Sequence, residues 1–127
     1  MKEFKLLRCP KCGKIVEYID GPEGCPTICC GEPMKVMTAN TTDAALEKHV
    51  PCVEIEGDEV LVQVGSVLHP MTPEHHISFI YLITDKSVRR VDLDPVGSPV
   101  AKFYVKGEKP LAVYEYCNLH GLWKAEA

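Results

Sequence analysis

No hydrophobic run in this 127-residue chain reaches the roughly 18 residues that a membrane-spanning helix requires. The amino-terminal stretch MKEFKLLRCP contains lysines, but it has no apolar core of signal-peptide length and no small-residue cleavage site. From the sequence we therefore expect a cytoplasmic protein with no membrane partner.

Two further absences narrow the possible functions. The chain has no GxGxxG fingerprint or other nicotinamide motif, so any electrons that it uses must come from another molecule. Its formal net charge of −4 does not favour a nucleic-acid partner. The same charge opposes an anionic substrate, which would need positive charge close to its binding site.

Cysteine, by contrast, is abundant and odd in number, with seven residues. In a cytosolic chain such cysteines bind metal or take part in redox chemistry more often than they form disulfides. Four of them form the motif CPKC and an adjacent pair, at Cys9, Cys12, Cys29 and Cys30. Four thiolates can surround one tetrahedral ion, so this pattern strongly indicates a metal site.

The cysteine-rich region, residues 1–36, is too short to fold by apolar burial alone, and a metal would supply the missing stability. Neighbouring side chains of an extended chain point to opposite faces. Cys29 and Cys30 can therefore reach one metal only across a sharp bend, which Gly31 permits. The spacing leaves zinc and iron both open. Cys25 is interpreted as a free thiol, with replacement of one ligand as the alternative.

The region from 37 to 127 has a different pattern. Thr42 and Asp43 are typical of helix caps, and the segment that follows predicts at most a turn or two of helix, ending before Pro51. Short alternating stretches then predict strands: EVLVQVGSV, HISFIYLIT, SVRRVDL, AKFYV and LAVYEYC. Strands this short and regularly spaced are typical of an antiparallel sandwich, so the fold class is mainly β in two domains, 1–36 and 37–127.

All five histidines lie in this second region, at predicted loops or strand edges: His49, His69, His75, His76 and His120. For one histidine, a hydrogen-bonded loop residue is the ordinary interpretation. In a sandwich, however, loops from distant parts of the sequence meet at one end and can converge on a point. Two adjacent histidines of an extended chain face opposite ways, so the pair at 75 and 76 supplies at most one ligand. Four imidazoles and the Cys117 thiolate remain.

Five such ligands do not suit zinc, which prefers four in a tetrahedron. Four imidazoles in a plane with an axial thiolate form a square pyramid, and this leaves one open position where a small molecule could bind iron. Cys52, between Val50 and Val53, is interpreted as a small core residue, and Trp123 as a packing residue.

At this point the sequence resembles the desulfoferrodoxin family, the two-iron superoxide reductases. The segments that carry the resemblance are CPKC, CCGEPMK, EKHVP, the GSV-x-HPM loop and YCNLHGLWKAE, which together span nearly the whole chain. The resemblance implies a desulforedoxin-like (rubredoxin-like) domain at 1–36 and an immunoglobulin-like catalytic β-sandwich at 37–127. Carried over by position, it implies two iron sites, one held by Cys9, Cys12, Cys29 and Cys30, the other by His49, His69, His75, Cys117 and His120.

The resemblance also implies an activity, the one-electron reduction of superoxide to hydrogen peroxide by ferrous iron. It implies electrons from a rubredoxin-like donor, and a homodimer. Lys48 becomes a candidate for attracting superoxide, and Glu47 a candidate sixth ligand in the resting ferric state; otherwise the two form a solvated charge pair. The alternative is a non-enzymatic iron electron carrier or metal-binding module, which would need no open coordination position.

Overall fold

The computed structural model describes residues 3–42 and 44–127, and the chain forms two compact units that divide between Thr38 and Ala39. Strands hold 47% of the described residues and helix 3%, so the mainly β prediction is confirmed. In chain order the elements are β1 (Lys5–Arg8), β2 (Ile15–Tyr18), β3 (Ile28–Cys29), β4 (Glu32–Pro33), β5 (Lys35–Val36), α1 (Leu46–His49), β6 (Pro51–Glu56), β7 (Glu59–Val64), β8 (Ile77–Thr84), β9 (Val88–Asp92), β10 (Val100–Tyr104), β11 (Pro110–Cys117) and β12 (Gly121–Glu126). Within the described residues, no helix has the length and apolar character needed to cross a membrane.

The first unit contains a three-stranded antiparallel sheet in the order β2-β1-β5 and a short hairpin of β3 and β4. In its described part, the buried apolar side chains are Leu6, Leu7 and Cys9. So small a core cannot offset the conformational entropy of this segment without help. The sharp bend expected after Cys29 is present, because Cys30 and Gly31 both have positive φ, 52° and 79°.

The second unit packs two antiparallel sheets around one apolar core. Their strand orders are β10-β7-β6 and β12-β11-β8-β9. Strand β7 alternates strictly, with Val60, Val62 and Val64 fully buried against residues of the facing sheet such as Ile80 and Val113. This is the period of a strand with one face in the core, and the predicted sandwich is confirmed.

Two strands of the sandwich, β6 and β12, were not predicted from the sequence. Strand β6 pairs only with β7, and β12 pairs only with β11, so each is an edge strand. The second half of β6, at Glu54, Ile55 and Glu56, is exposed and carries charge in place of a clean alternation. In β12 the neighbouring residues Leu122 and Trp123 are both buried, so this strand does not alternate cleanly either.

The predicted helical turn before Pro51 is present as the single turn α1. It begins after Ala45, which provides no side-chain cap, so Thr42 is not its cap; Asp43 lies outside the described residues. The turn ends because Val50 is extended, with φ −68° and ψ 123°, as expected for a residue before proline.

Gly65 lets the loop after β7 approach α1 closely. A Cβ at this position would lie 2.3 Å from the carbonyl oxygen of Glu47, closer than any side chain tolerates. The same carbonyl accepts hydrogen bonds from the Val67 amide at 2.9 Å and from the Ser66 hydroxyl at 3.2 Å. The loop that leads to His69 is thereby held against the helix that ends at His49.

Candidate metal centres

The four cysteines of the first unit come together from two loops. Cys9 and Cys12 lie between β1 and β2, and Cys29 and Cys30 lie at the β3–β4 hairpin; their sulfur atoms are within 4.8 Å of one another. The Cys12 and Cys29 sulfurs are 3.6 Å apart, and those of Cys29 and Cys30 are 4.0 Å apart. A tetrahedral ion with metal–sulfur bonds of about 2.3 Å places its sulfurs about 3.8 Å apart, so this set fits such an ion.

The pKa values of the cysteines in this four-residue group also suit the binding of a cation. The Cys12 amide donates a hydrogen bond to the Cys9 sulfur at 3.5 Å, and this is the main reason that the pKa of Cys9 falls to about 6. Hydrogen bonds shared with Cys12 and Cys9 raise the pKa of Cys29 to about 12. The Cys9 thiolate is therefore favoured, while the hydrogen bonds shared with Cys12 and Cys9 resist the ionisation of Cys29 until a metal ion displaces its proton. Cys25 is exposed and lies outside this group.

A second group forms at one end of the sandwich from five separate points of the chain. His49 ends α1, His69 lies in the β7–β8 loop, His75 precedes β8, Cys117 ends β11 and His120 precedes β12. One ligand atom from each of these residues lies within 4.8 Å of all the others. The structure therefore brings together the four histidines and the cysteine that were predicted to bind the second metal ion.

Hydrogen bonds to main-chain carbonyls fix which imidazole nitrogen faces the group. The Nδ1–H of His49 donates to the carbonyl of Ala45 at 2.7 Å, and that of His69 donates to the carbonyl of Pro70, also at 2.7 Å. Their Nε2 atoms consequently carry the lone pair. The Nε2 of His75 is buried with no hydrogen-bond partner in the part of the chain that the structure describes.

His120 differs from the other three because its Nδ1 faces the group. This atom lies 3.0 Å from His49 Nε2 and 3.8 Å from the Cys117 sulfur, which in turn is 3.4 Å from His69 Nε2. Two nitrogens bound at a right angle through bonds of about 2.1 Å are about 3.0 Å apart, whereas a tetrahedral angle gives about 3.4 Å. The short nitrogen–nitrogen distance, the orphaned His75 nitrogen and the soft sulfur all fit a metal ion with right-angled ligands.

Burial keeps three of these imidazoles, those of His49, His69 and His75, neutral and available as ligands. It is the main cause that lowers the pKa values of His49 and His75, and it lowers the pKa of His69 to about 4. Burial also raises the pKa of the Cys117 thiol, partly opposed by hydrogen bonds from the amides of Leu119 and His120. A bound metal ion would overcome this effect, because a coordinating thiol is deprotonated outright.

Glu115 is a buried carboxyl group that the sequence analysis did not identify. It lies on β11, two residues before Cys117, and is fully buried. Burial raises its pKa to about 9, so the group is protonated near neutral pH. In that state it places no second negative charge beside the Cys117 sulfur.

Four other residues named from the sequence lie outside the second group. His76 donates its Nδ1–H to the Thr72 carbonyl at 3.0 Å, and its amide bonds Asn118 Oδ1 at 2.8 Å, so it faces away from the group. Glu47 and Lys48 lie on α1 with exposed side chains. Cys52, interpreted as a core residue, is only half-buried because it lies on the edge strand β6.

Comparison with known proteins agrees with this arrangement of ligands. The sequence profile described as Desulfoferrodoxin matches residues 41–126. The chain belongs to the desulfoferrodoxin family. It is 45% identical over 122 residues to a desulfoferrodoxin homolog of Archaeoglobus fulgidus, covering 96% of each chain. It is 46% identical over 126 residues to the desulfoferrodoxin of Syntrophotalea carbinolica, covering 98% of each chain.

A solved structure extends the family relationship to three dimensions. The crystal structure of the superoxide reductase from Treponema pallidum superposes with a TM-score of 0.83 at 38% identity. The match covers 98% of this chain and 100% of that one, so both units of the desulfoferrodoxin fold are included.

Proposed function

We propose that this chain is a superoxide reductase, which converts superoxide, one electron and two protons to hydrogen peroxide. The observation that carries the proposal is the convergence of four imidazole nitrogens and one sulfur within 4.8 Å at one end of the sandwich. Membership of the desulfoferrodoxin family and the likeness to the Treponema pallidum superoxide reductase support the same activity.

The residues of this site have two roles: some would bind the metal ion, and others hold those ligands in place. His49, His69, His75, Cys117 and His120 would hold an iron ion, which when bound supplies the electron and one open position for superoxide. The carbonyl groups of Ala45 and Pro70 hold two of the imidazoles in the tautomer that ligation requires. Such fixed outer contacts keep the ligand set in place without further rearrangement.

Cys117 sets the electronic character of the centre. With a metal bound it would bring the single negative charge of the five-residue set, since an imidazole binds a metal in its neutral form. A thiolate ligand donates electron density and stabilises the more highly charged state of the metal. With iron bound, this would favour the reduction of superoxide over the oxidation of a second superoxide to dioxygen, and therefore a reductase over a dismutase.

Lys48 and Glu47 provide charge at the mouth of the site. The charge of Lys48 adds to burial in lowering the pKa of both His49 and His75, so its field reaches the ligand set. We propose that Lys48 attracts the superoxide anion against the net charge of −4. We also propose that Glu47, one residue closer to the amino terminus on α1, occupies the sixth position in the resting ferric state.

The first unit would hold a second iron ion through Cys9, Cys12, Cys29 and Cys30, with zinc as the other metal that suits four thiolates. We therefore propose that residues 1–36 form an iron domain and residues 37–127 the catalytic domain. On the family resemblance we further propose a rubredoxin-like electron donor and a homodimer. Seven free cysteines suit a reducing compartment and support a cytoplasmic location.

Pulse radiolysis of the reduced, iron-loaded protein tests the activity. A reductase yields one hydrogen peroxide for each superoxide consumed, whereas a dismutase yields one for every two. Cys117→Ser should abolish the sulfur-to-iron absorption and nearly all the reaction. Cys52→Ser, a matched change of a half-buried cysteine outside the ligand set, should preserve both. Dismutase stoichiometry in the parent protein, or an unchanged Cys117→Ser variant, contradicts the proposal.

A further inference from the structure

Trp123 makes two separate contacts with the second ligand group. It is the chain's one tryptophan, lies on β12 and is fully buried. Its ring stacks on the imidazole of His49, with centroids 5.0 Å apart and planes inclined by 29°. Its Nε1–H donates a hydrogen bond of 3.1 Å to the main-chain carbonyl of His120. One side chain thus touches two candidate ligands that are 71 residues apart in sequence.

The stacking contact restrains the plane of His49. Its Nδ1–H bond to Ala45 fixes the tautomer but leaves the imidazole free to tilt about that bond. The rings of His69 and His120 meet His49 edge-on, each with centroids 4.8 Å away. The broad indole face is the contact that lies along the imidazole face, so it resists the tilt that would turn Nε2 away from the other ligand atoms.

The hydrogen bond restrains His120 by a different route. This residue presents Nδ1, which is nearer to the main chain than Nε2, so a shift of the main chain moves the ligand atom directly. The indole N–H holds the carbonyl of the same residue, just before Gly121 takes a positive φ of 83° and turns the chain into β12. A buried indole N–H needs an acceptor in any case. Here that acceptor belongs to the main chain of one candidate ligand, while the ring face lies on another.

We propose that Trp123 is a positioning residue for the iron centre, which holds the imidazole of His49 and the main chain of His120 in their converging arrangement. This inference rests on the proposed function, because it takes the five-residue set as the iron ligands. Being fully buried, the indole also excludes water from this side of the set. Its loss should admit water, which stabilises the more highly charged ferric state and lowers the reduction potential.

Two substitutions separate the contacts. Trp123→Phe keeps a flat ring against His49 but removes the N–H, and Trp123→Leu removes both the flat ring and the N–H. Phe103→Leu is the matched control, because Phe103 is a buried aromatic residue of β10 in the same apolar core. Loss of an outer contact of this kind weakens metal binding about 10- to 100-fold. We expect a loss in that range for Trp123→Leu, a smaller loss for Trp123→Phe and none for Phe103→Leu.

Three readouts test the inference beyond activity. Competition with a chelator measures iron retention, a redox titration measures the midpoint potential, and NMR relaxation of the His49 ring in the metal-free protein reports how freely that ring tilts. Trp123→Leu should retain iron less well, have a lower potential and show a His49 ring that tilts more freely. Thermal unfolding of the metal-free variants provides the measure of general damage, which should be similar for Trp123→Leu and Phe103→Leu.

The outcomes distinguish the two proposals. Failure of the parent protein to bind iron in the second group overturns the proposed function. If the parent binds iron and Trp123→Leu matches it in retention, potential and His49 relaxation, the positioning role of Trp123 is overturned while the function stands. The same conclusion follows if Phe103→Leu changes these three readouts as strongly as Trp123→Leu does.

Discussion

The two units reach a metal-binding arrangement by opposite means. In the first unit the four cysteines lie in short loops, Cys12 and Cys30 are exposed, and little apolar surface is buried. In the second unit the ligands are attached to the ends of strands and a helical turn that belong to a large apolar core. The contrast indicates that a metal stabilises the fold in the first unit, whereas the fold creates the site in the second.

The largest expected effect is the loss of ordered structure in the first unit alone when one of its cysteine ligands is replaced. Cys12→Ser should remove its metal and, with it, the ordered structure around β1 to β5, because the remaining apolar core is too small to hold the fold. Amide hydrogen exchange should show loss of protection before Thr38 and normal protection in the sandwich. Cys25→Ser, which changes an exposed cysteine outside the metal group, is the control and should leave both units intact. Loss of iron from the histidine-rich group in Cys12→Ser would show that the two sites are not separable.

A substitution in the apolar core should destabilise the second unit and leave the first unit unchanged. Ile80 is fully buried on β8, so Ile80→Ala removes packing and leaves a cavity. The free energy of unfolding of the sandwich should fall by about 2–5 kcal/mol, as measured by denaturant unfolding of the metal-free protein. Iron should then leave the histidine-rich group faster, while the visible spectrum of the four-cysteine site stays unchanged. Equal loss from both sites would contradict the division of roles.

A smaller effect concerns the approach of the substrate to the second site. At about 4 Å, a unit charge pair interacts by roughly 4 kcal/mol at an effective dielectric of 20 and by about 1 kcal/mol in water. Lys48 is exposed, so the lower figure applies, and Lys48→Ala should slow the reaction with superoxide about tenfold. It should also flatten the dependence on ionic strength, because exposed charges are screened within about 10 Å at 0.1 M salt.

Glu47→Ala is the matched control for this measurement. Removal of a carboxylate from the mouth should not slow anion capture, but it should change the resting ferric spectrum. If pulse radiolysis across a salt series gives Lys48→Ala the parent rate and slope, the two residues are an ordinary solvated charge pair.

The smallest expected effect concerns pH and the end of the sandwich away from the metal ligands. Hydrogen bonds from Ser87 and Thr84, together with the guanidinium of Arg89, lower the pKa of Glu108 from 4.5 to about 2. A carboxyl group whose pKa is lower in the folded state stabilises the fold above its unfolded pKa, and this stabilisation is lost as the pH falls from about 4.5 to about 2. Glu108→Gln should therefore lower stability at neutral pH and flatten its decline in that acid range.

Denaturant unfolding from neutral to acid pH measures this contribution. Lys102→Gln, which breaks the exposed pair with Glu59, is the control and should leave the acid profile unchanged. A Glu108→Gln profile that runs parallel to the parent profile would show that this half-buried network adds no pH-dependent stability.

The comparison also explains what could be predicted from sequence. Ligand residues are visible because their chemistry is distinctive: CPKC, the adjacent cysteines, and histidines beside predicted strand ends. Strands with one buried face, such as β7, are visible through their alternation. Strands β6 and β12 were missed because neither alternates cleanly: the second half of β6 is exposed throughout, and Leu122 and Trp123 of β12 are both buried.

Contacts between residues that only the folded chain brings together could not be predicted from sequence patterns. The carbonyl partners of His49 and His69, and the stacking of Trp123 on His49, join main-chain or aromatic groups that have no distinctive sequence spacing. Gly65 offered a signal, because a glycine inside a motif can mark a close approach of two segments. Its partner on α1 is revealed only by the fold.

The most direct test of the central claim is X-ray absorption at the iron edge of the Cys12→Ser variant, together with its metal content. This variant lacks the four-cysteine site, so the remaining signal belongs to the histidine-rich group alone. We predict one iron per chain with four nitrogen ligands and one sulfur ligand, matching His49, His69, His75, His120 and Cys117. Absence of iron, zinc in its place, or a ligand shell without sulfur would contradict the account.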